Sequence, residues 1–200
     1  MSAVRGTVTT AEAEPRSPTS GRQRMRTRLS PGRERNAVEA AVAVRRPVRD
    51  VFDFYRDFRN LPRFLGDVMD VEVTDAGGTA PLRSRWTIQG PKGLSIHWTV
   101  EVTEERPEEL ISYETVSGPP GVRSRWDIHF SRGDEPDTTV VREVMGLPFG
   151  RVGRRALSLV GKPPGAEAEA NLHRLKQLLE TGEVTDTAHA VPGKFDRPGP

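Results

Sequence analysis

The 200-residue sequence contains no cysteine, so proton transfer or metal binding would depend on its carboxylates, tyrosines and histidines. The absence of cysteine excludes a disulfide framework, a thiol nucleophile and a thiolate metal site. A metal site or a general base would require several of the four histidines to converge in a dry place. His97 and His129 fall on the polar phase of strands, His173 lies beside a helix stripe, and His189 lies near the C-terminus. We therefore expect no metal site and no catalytic histidine.

Two charged residues on strands could act inside the fold if their side chains point inward. Glu114 follows Leu110 at an even spacing, and Arg142 lies between Val140 and Val144. A buried charge needs a partner, so an inward pair would bind each other or a ligand. The alternative is that the strands twist and expose both side chains at an edge. Serine nucleophile elbows, phosphate-binding glycine loops, HExxH pairs and dinucleotide fingerprints are absent from the sequence.

All three tryptophans fall on the apolar phase of segments in which apolar and polar residues alternate. These are Trp86 in 82–89, Trp98 in 94–103 and Trp126 in 122–131. A period of two is typical of a half-buried strand in an antiparallel sheet with one wet and one dry face. The sequence therefore predicts that three indoles point into one interior.

The order of the other elements indicates what surrounds this interior. A strand from about 38 to 44 comes first, Pro47 begins a short helix, and residues 57–65 form a second short helix that is broken near Pro62. The strands that follow are joined by glycine and proline turns, which is typical of a meander. They span about 68–74, 82–89, 94–103, 110–116, 122–131 and 138–144.

The most regular helix of the sequence spans about 165–181, with leucines along one face and Gly182 as a left-handed stop. A long amphipathic helix must bury its apolar stripe, and the dry face of the sheet is the only large partner available. The sequence therefore predicts an α+β fold: about seven antiparallel strands curved around one long C-terminal helix, with two short helices after the first strand.

The composition predicts one folded domain, residues 36–182, between disordered ends at 1–35 and 183–200, which are too poor in aliphatic side chains to offset the entropy of ordering. Residues 1–35 contain eight arginines and three glutamates, a net charge of +5, so the rest of the chain carries −3 of the total +2. The basic end could contact lipid or nucleic acid or have no role, whereas the domain is not expected to bind nucleic acid. Lacking a membrane-length apolar run and a secretory signal, the protein is expected to be soluble and cytoplasmic.

Three segments resemble one known superfamily. They are VFDFYRDFRNLPRFLGDVMDVEV (Val51 to Val73), the Trp-x-Ile-x-Gly-Pro-x-Gly pattern (Trp86 to Gly93) and NLHRLKQLLETGEV (Asn171 to Val184). With the order of the elements, they are similar to the START-like (SRPBCC) superfamily with the helix-grip fold, and within it to the polyketide cyclase/dehydrase branch, which includes the coenzyme Q-binding proteins. The likeness covers about residues 37–184 and is specific for the fold, because such proteins share a cavity and not a catalytic motif.

The resemblance implies a hydrophobic cavity between the concave sheet and the long helix, which takes a lipid, a quinone, a polyketide or another apolar molecule without a cofactor. Enzymes of this kind place a few polar groups on the cavity wall, for which the candidates here are Ser84, Tyr113, Glu114 and Arg142. The residues expected to form the apolar wall are Trp86, Ile88, Ile96, Trp98, Trp126, Ile128, Phe130, Phe54, Phe58, Phe64, Leu172, Leu175 and Leu179.

Three functions are compatible with these observations. The leading hypothesis is a carrier of a hydrophobic molecule, the first alternative is a polyketide aromatase/cyclase or dehydratase that uses the same cavity, and the second is a protein-interaction module without a ligand. Two or more inward-facing Arg, Tyr or Glu around one cavity would favour the enzyme, a wall with none would favour the carrier, and a filled interior would favour the interaction module. The basic and apolar segment 149–160 could form a lid, contact a membrane during lipid exchange, or pack on the domain edge.

Overall fold

The computed structural model of the chain describes residues 37–75, 81–90, 93–118, 123–146 and 164–196. The strands in these ranges are β1 (Ala37–Val44), β2 (Val68–Asp75), β3 (Arg83–Gln89), β4 (Ser95–Arg106), β5 (Leu110–Ser117), β6 (Arg125–Arg132) and β7 (Thr139–Gly146). The helices are α1 (Val48–Arg56), a 3₁₀ helix (Phe58–Arg63) and α2 (Pro164–Thr181). This order is the one that the sequence predicts.

The seven strands form one antiparallel sheet in the order β1-β7-β6-β5-β4-β3-β2. Strands β2 to β7 are neighbours in sequence order, as in a meander, and β1 pairs with β7. Register shifts between β4 and β5, which are typical of β-bulges, bend this part of the sheet. The expected α+β helix-grip architecture is confirmed, and the first two strands of the chain form the two edges of the sheet.

The alternation of side chains along each strand sets the two faces of the sheet. In β3, Ser84, Trp86 and Ile88 are buried, whereas Arg83 and Arg85 are exposed. Because paired residues of neighbouring strands point to the same side, this phase extends across the sheet. The buried face, which α1, the 3₁₀ helix and α2 cover, is called the inner face below.

Helix α2 covers the inner face by contacting both edges of the sheet. It lies along β1, where Lys176 Nζ donates to the carbonyl oxygen of Ala43 at 2.7 Å. Just before β2, the backbone N–H of Gly66 donates to Asn171 Oδ1 of the helix at 2.9 Å. Gly182 follows the helix at φ +84°, the left-handed conformation that the sequence predicts. The leucines of the helix are thereby removed from water or half-buried.

The two short helices cover one end of the inner face. Pro47 directly precedes α1, and its fixed φ suits a helix start. The 3₁₀ helix begins after Asp57, whose side chain accepts a hydrogen bond from the backbone N–H of Arg59, and it contains Pro62. The proline explains why this segment does not continue as an α-helix.

Arg174 of α2 is fully buried, although the sequence places it off the apolar stripe. Its Nε donates to the carbonyl oxygen of Phe64 at 2.7 Å, and its Nη1 donates to that of Ala188 at 2.6 Å. Burial lowers the pKa of the guanidinium, which nevertheless stays charged in proteins. Gly66 provides the room, because a Cβ at that position would lie 2.8 Å from Nη2.

Residues 183–196, which the composition assigned to a disordered end, lie against the domain in the structure. The backbone N–H of Val191 donates to the carbonyl oxygen of Gly66 at 3.0 Å. Lys194 Nζ donates to the carbonyl oxygens of Leu65 and Val68. The segment contains no helix or strand, so hydrophobic periodicity gave no signal for it. Individual polar contacts to the loop before β2 hold it instead.

Two of the sequence-based expectations fall on residues that the structure does not describe. These are the basic end at 1–35 and the lid or membrane segment at 149–160. Among the helices that the structure does describe, none is long and apolar enough to cross a membrane.

Candidate functional site

The part of the inner face nearest α1 and the 3₁₀ helix is a closely packed aromatic cluster. It consists of Phe52, Tyr55, Phe58, Phe64 and Phe130, all of which are buried, and we call it the packed end. Adjacent rings of Phe52, Tyr55, Phe64 and Phe130 meet at centroid distances between 5.3 and 5.8 Å. Contacts of this kind stabilise the fold by filling space, so this end supplies structure and little room for a ligand.

The inner face has a second part, formed by Trp98, Val102, Trp126 and Met145, in which each side chain remains partly exposed. We call it the half-buried end. The Trp126 ring stacks on Tyr113 at 5.2 Å and faces Trp98 at 6.4 Å. Trp98 Nε1 is buried and has no hydrogen-bond acceptor within the described ranges. An indole N–H can only donate, so this end combines aromatic surface with an unused donor.

Glu143 places a carboxyl group on the same inner face. It is 6% exposed and lies on β7 in register with Ile128 of β6 and Ala40 of β1. Burial raises the pKa of this carboxyl to about 7, and the negative charges of Glu167 and Asp67 add to the rise. Acid and carboxylate are therefore both populated near neutral pH, which is the condition for a group that exchanges protons with a ligand.

Two tyrosine hydroxyls lie in the same interior. Tyr55 Oη and Tyr113 Oη are 3.3 Å apart, and both residues are buried. Burial raises the pKa of both phenols far above the ordinary value, and the charge of Glu143 contributes. Both phenols therefore stay neutral, so they can donate or accept hydrogen bonds but cannot act as phenolates.

The family model described as polyketide cyclase/dehydrase and lipid transport matches residues 35–180 of this chain. The chain belongs to this family. No curated protein matches the sequence.

Solved structures share the fold of this family member. Proteins from Deinococcus radiodurans and Thermus thermophilus are each 24% identical to it, with TM-scores of 0.55 and 0.57, and the matches cover 73% and 72% of this chain and 98% and 96% of theirs. The di-domain ARO/CYC StfQ from the steffimycin biosynthetic pathway is 17% identical, with a TM-score of 0.55. That match covers 72% of this chain and 44% of StfQ. At these identities the likeness establishes the fold alone.

The residues predicted to form the apolar wall differ in how completely they are buried. Those that are buried are Trp86, Ile88, Ile128, Phe130, Phe58, Phe64, Leu172 and Leu175. Those that are half-buried are Ile96, Trp98, Trp126, Phe54 and Leu179. The three indoles share one face, as the sequence predicts, while the role of these residues in ligand binding stays a prediction.

The two remaining polar candidates on the inner face differ in what they can offer a ligand. Ser84 is fully buried, and its hydroxyl accepts the hydrogen bond of Trp86 Nε1 at 2.8 Å. This serine therefore satisfies an indole of the core. Tyr113 instead lies between the packed end, where Phe58 contacts it at 5.2 Å, and the half-buried end.

The hypothesis that Glu114 and Arg142 point inward is wrong. Arg142 lies on the outer face of the sheet, where its Nη1 donates to Glu39 Oε1 at 3.0 Å. Its neighbour Glu143 has the inward position. Glu114 is likewise on the outer face, because it follows the inward Tyr113. Successive residues of a strand point to opposite faces, so the inward position of Tyr113 or Glu143 places its neighbour, Glu114 or Arg142, on the outer face.

The sequence analysis did not single out Glu143. Strand β7 reads TVVREVMG, so valines occur on both of its phases and the period of two cannot decide which phase is buried. The register with Ile128, which is fully buried, does decide it. The signal for this residue is therefore cross-strand pairing, which a single sequence does not provide.

A separate pocket of about 620 Å³ lies between the C-terminal end of α2 and the segment 183–196. Arg63, Leu178, Lys194 and Phe195 are among the residues that line it. Its lining contains none of the predicted wall residues, so it is distinct from the inner face.

Proposed function

We propose that this protein binds a hydrophobic small molecule of the lipid, quinone or polyketide type at the half-buried end of the inner face. The observation that carries the proposal is the partly exposed aromatic surface of Trp98 and Trp126, on a face where the rings of the packed end are buried. Apolar surface gathered on a concave face beside a few polar groups is typical of a small-molecule site.

The energy of binding would come mainly from removing this aromatic surface from water. Each Å² of buried apolar surface contributes about 25 cal/mol, and an aromatic ligand would gain about 0.5–1.5 kcal/mol more from each well-oriented ring contact. The description of the family as polyketide cyclase/dehydrase and lipid transport supports a ligand of this class.

Isothermal titration calorimetry with three probes tests the proposal: an aromatic polyketide (emodin), a short-chain ubiquinone and a fatty acid (palmitate). We expect saturable binding of at least one class, and we expect Trp98→Ala to weaken it by about tenfold, which corresponds to about 1.4 kcal/mol. His97→Ala is the matched control, because His97 is the exposed neighbour on the other face of β4. If none of the three classes binds, or if the two variants behave alike, the proposal fails.

A second candidate function is cofactor-independent dehydration or cyclisation at the same place, and Glu143 is the observation that favours it. In a dehydration, the Glu143 carboxylate would take a proton from the carbon next to a carbonyl group. The resulting acid would return that proton to the departing hydroxyl, which leaves as water. The hydroxyl of Tyr113 would donate to the carbonyl oxygen as negative charge develops on it.

A β-hydroxy ketone such as 4-hydroxy-4-phenylbutan-2-one tests this second function, because its dehydration forms a conjugated enone that absorbs in the ultraviolet. We expect turnover in the wild type and none in Glu143→Gln, with ligand binding retained in both. Binding without turnover in the wild type would leave the carrier function and exclude dehydration of this substrate class.

A further inference from the structure

No hydrogen bond or ion pair joins Glu143 to another described residue, and at 6% exposure its carboxyl oxygens keep a small contact with solvent. A buried carboxyl without a partner is costly, so such a group calls for an explanation. Its neighbours across β6 and β1, Ile128 and Ala40, are apolar. The paired side chains on the neighbouring strands therefore offer this carboxyl no hydrogen-bond partner.

Among the residues that the structure describes, the titratable groups that act on Glu143 come from four elements and include no base. They are Tyr55 of α1, Tyr113 of β5, Glu167 of α2 and Asp67 of the loop before β2. The two charged groups are both acids, so they favour the protonated form of Glu143. A carboxylic acid in this place is a hydrogen-bond donor.

The buried guanidinium of Arg174 does not compensate Glu143. Its Nε and Nη1 donate to the backbone carbonyl oxygens of Phe64, before β2, and Ala188, after α2. The donors that the described part of the chain leaves for a ligand are then the acid form of Glu143, Trp98 Nε1 and one hydrogen of the Tyr55–Tyr113 hydroxyl pair. Glu143 and Trp98 lie on β7 and β4, and the stacked rings of Trp126 and Tyr113 lie on the two strands between them.

We infer that the ligand of this site carries a carbonyl oxygen that accepts a hydrogen bond from the acid form of Glu143, so that ligand binding is coupled to proton uptake by the protein. This inference rests on the proposed function. A flat apolar body would lie on Trp126, with the oxygen at one end next to Glu143 and a second acceptor within reach of Trp98 Nε1 at the other. The ionised carboxylate would repel the carbonyl oxygen, since both are acceptors.

Calorimetric titration of a matched pair of probes tests the inference: 2-acetylnaphthalene and its hydrocarbon isostere 2-isopropenylnaphthalene. We expect the ketone to bind at least about tenfold more tightly than the hydrocarbon at pH 6. Because burial raises the pKa of Glu143 to about 7, the acid fraction and with it the ketone affinity should fall roughly thirtyfold from pH 6 to pH 8.5. The hydrocarbon affinity should stay constant.

Titrations in two buffers of different ionisation enthalpy count the protons directly. At pH 7.5 we expect uptake of a large fraction of one proton per ketone bound to the wild type. Glu143→Gln keeps a donor but cannot titrate, so it should bind the ketone independently of pH and without proton uptake. Glu114→Gln removes a carboxyl from the outer face and should behave as the wild type.

The outcomes separate the inference from the function on which it rests. If the hydrocarbon binds and the ketone binds no more tightly at any pH, the site takes apolar molecules and the carbonyl contact is wrong. If 2-(aminomethyl)naphthalene binds more tightly as the pH rises through 7, Glu143 recognises a cation as the carboxylate, and the inference is overturned. If neither neutral probe binds, the proposed function and the inference both fail.

Discussion

The packed end and the half-buried end of the inner face are built from the same kinds of residues, yet they differ in how completely water is excluded. At the packed end Phe58 is 1% exposed, and aromatic rings meet it edge to face. At the half-buried end Trp98 and Trp126 keep part of their surface accessible. The difference arises from what covers the sheet, because α1 and the 3₁₀ helix insert their aromatic rings over the packed end.

This comparison assigns the two ends different tasks. Aromatic rings that fill space stabilise the fold, whereas rings that stay half-exposed beside the indole N–H of Trp98 and the carboxyl group of Glu143 can serve a ligand. Tyr113 contacts both Phe58 and Trp126, so it is the residue through which the two ends meet.

The largest expected effect is a difference in stability between variants that remove one ring from each end. Phe58→Ala should lower the free energy of unfolding by about 3–5 kcal/mol, because it leaves a cavity among tightly packed rings. Trp98→Ala should cost about 1 kcal/mol, because the indole is already partly hydrated. Urea denaturation of both variants measures the difference, and equal losses would erase the distinction between the two ends.

The next effect concerns Glu143 and the pH dependence of stability. Its folded pKa of about 7 lies above the unfolded value of about 4.3, so the folded state binds the extra proton between these values. This contribution to stability is present below about pH 4.3 and is lost as the pH rises to 7, by about 3–4 kcal/mol in total. Glu143→Gln should remove that loss and be the more stable protein at pH 8.

Unfolding curves at pH 4.5, 6 and 8 check this prediction. Glu114→Gln on the outer face serves as the reference, since it makes the same substitution and leaves the interior untouched. A slope with pH that is the same in both variants would mean that Glu143 is hydrated in the folded protein.

A smaller effect is expected from substitution of Arg174, which donates hydrogen bonds to the carbonyl oxygens of Phe64 and Ala188. Arg174→Leu leaves the carbonyl oxygens of Phe64 and Ala188 without their donor, which should cost about 2 kcal/mol. Arg174→Lys keeps the charge but cannot form the same fork of hydrogen bonds, so it should recover only part of the loss. Full recovery by lysine would show that charge alone, and not geometry, matters there.

The smallest effect is expected for Lys194 in the segment 183–196. Lys194→Met keeps the length of the side chain and removes the donor to Leu65 and Val68, so global stability should fall by about 1 kcal/mol or less. Exchange of the Val191 amide hydrogen, which donates to Gly66, should accelerate in this variant. Ligand affinity at the half-buried end should not change, and a loss of affinity would link the segment to the site.

Hydrophobic alternation was sufficient to predict most of the fold. Most strands show a period of two, and the final helix ends at a glycine, so local pattern and tertiary structure agree there. The segment 183–196 escaped prediction because its order depends on a few long-range hydrogen bonds, such as that of Val191 to Gly66, and not on a periodic pattern.

The candidate site was predictable only in part. The inward indoles follow from alternation, and Trp86 and Trp98 are in register as neighbours on β3 and β4. The inward charged residue of β7 could not be assigned, because both phases of this strand contain valine and the sequence does not state which residue faces Ile128. A slip of one residue in phase exchanges Arg142 for Glu143 and thereby reverses the charge of the interior.

The contacts of Arg174 also bear on where this domain ends. The family match stops at residue 180. Beyond that position, the carbonyl oxygen of Ala188 accepts a hydrogen bond from the Arg174 guanidinium, and the ring of Phe195 lies against it. A chain cut at the family limit would expose this cation beside the loop before β2 and lose the backbone pairing at Gly66. The packing of the domain therefore extends through the irregular stretch after α2, at least as far as Phe195.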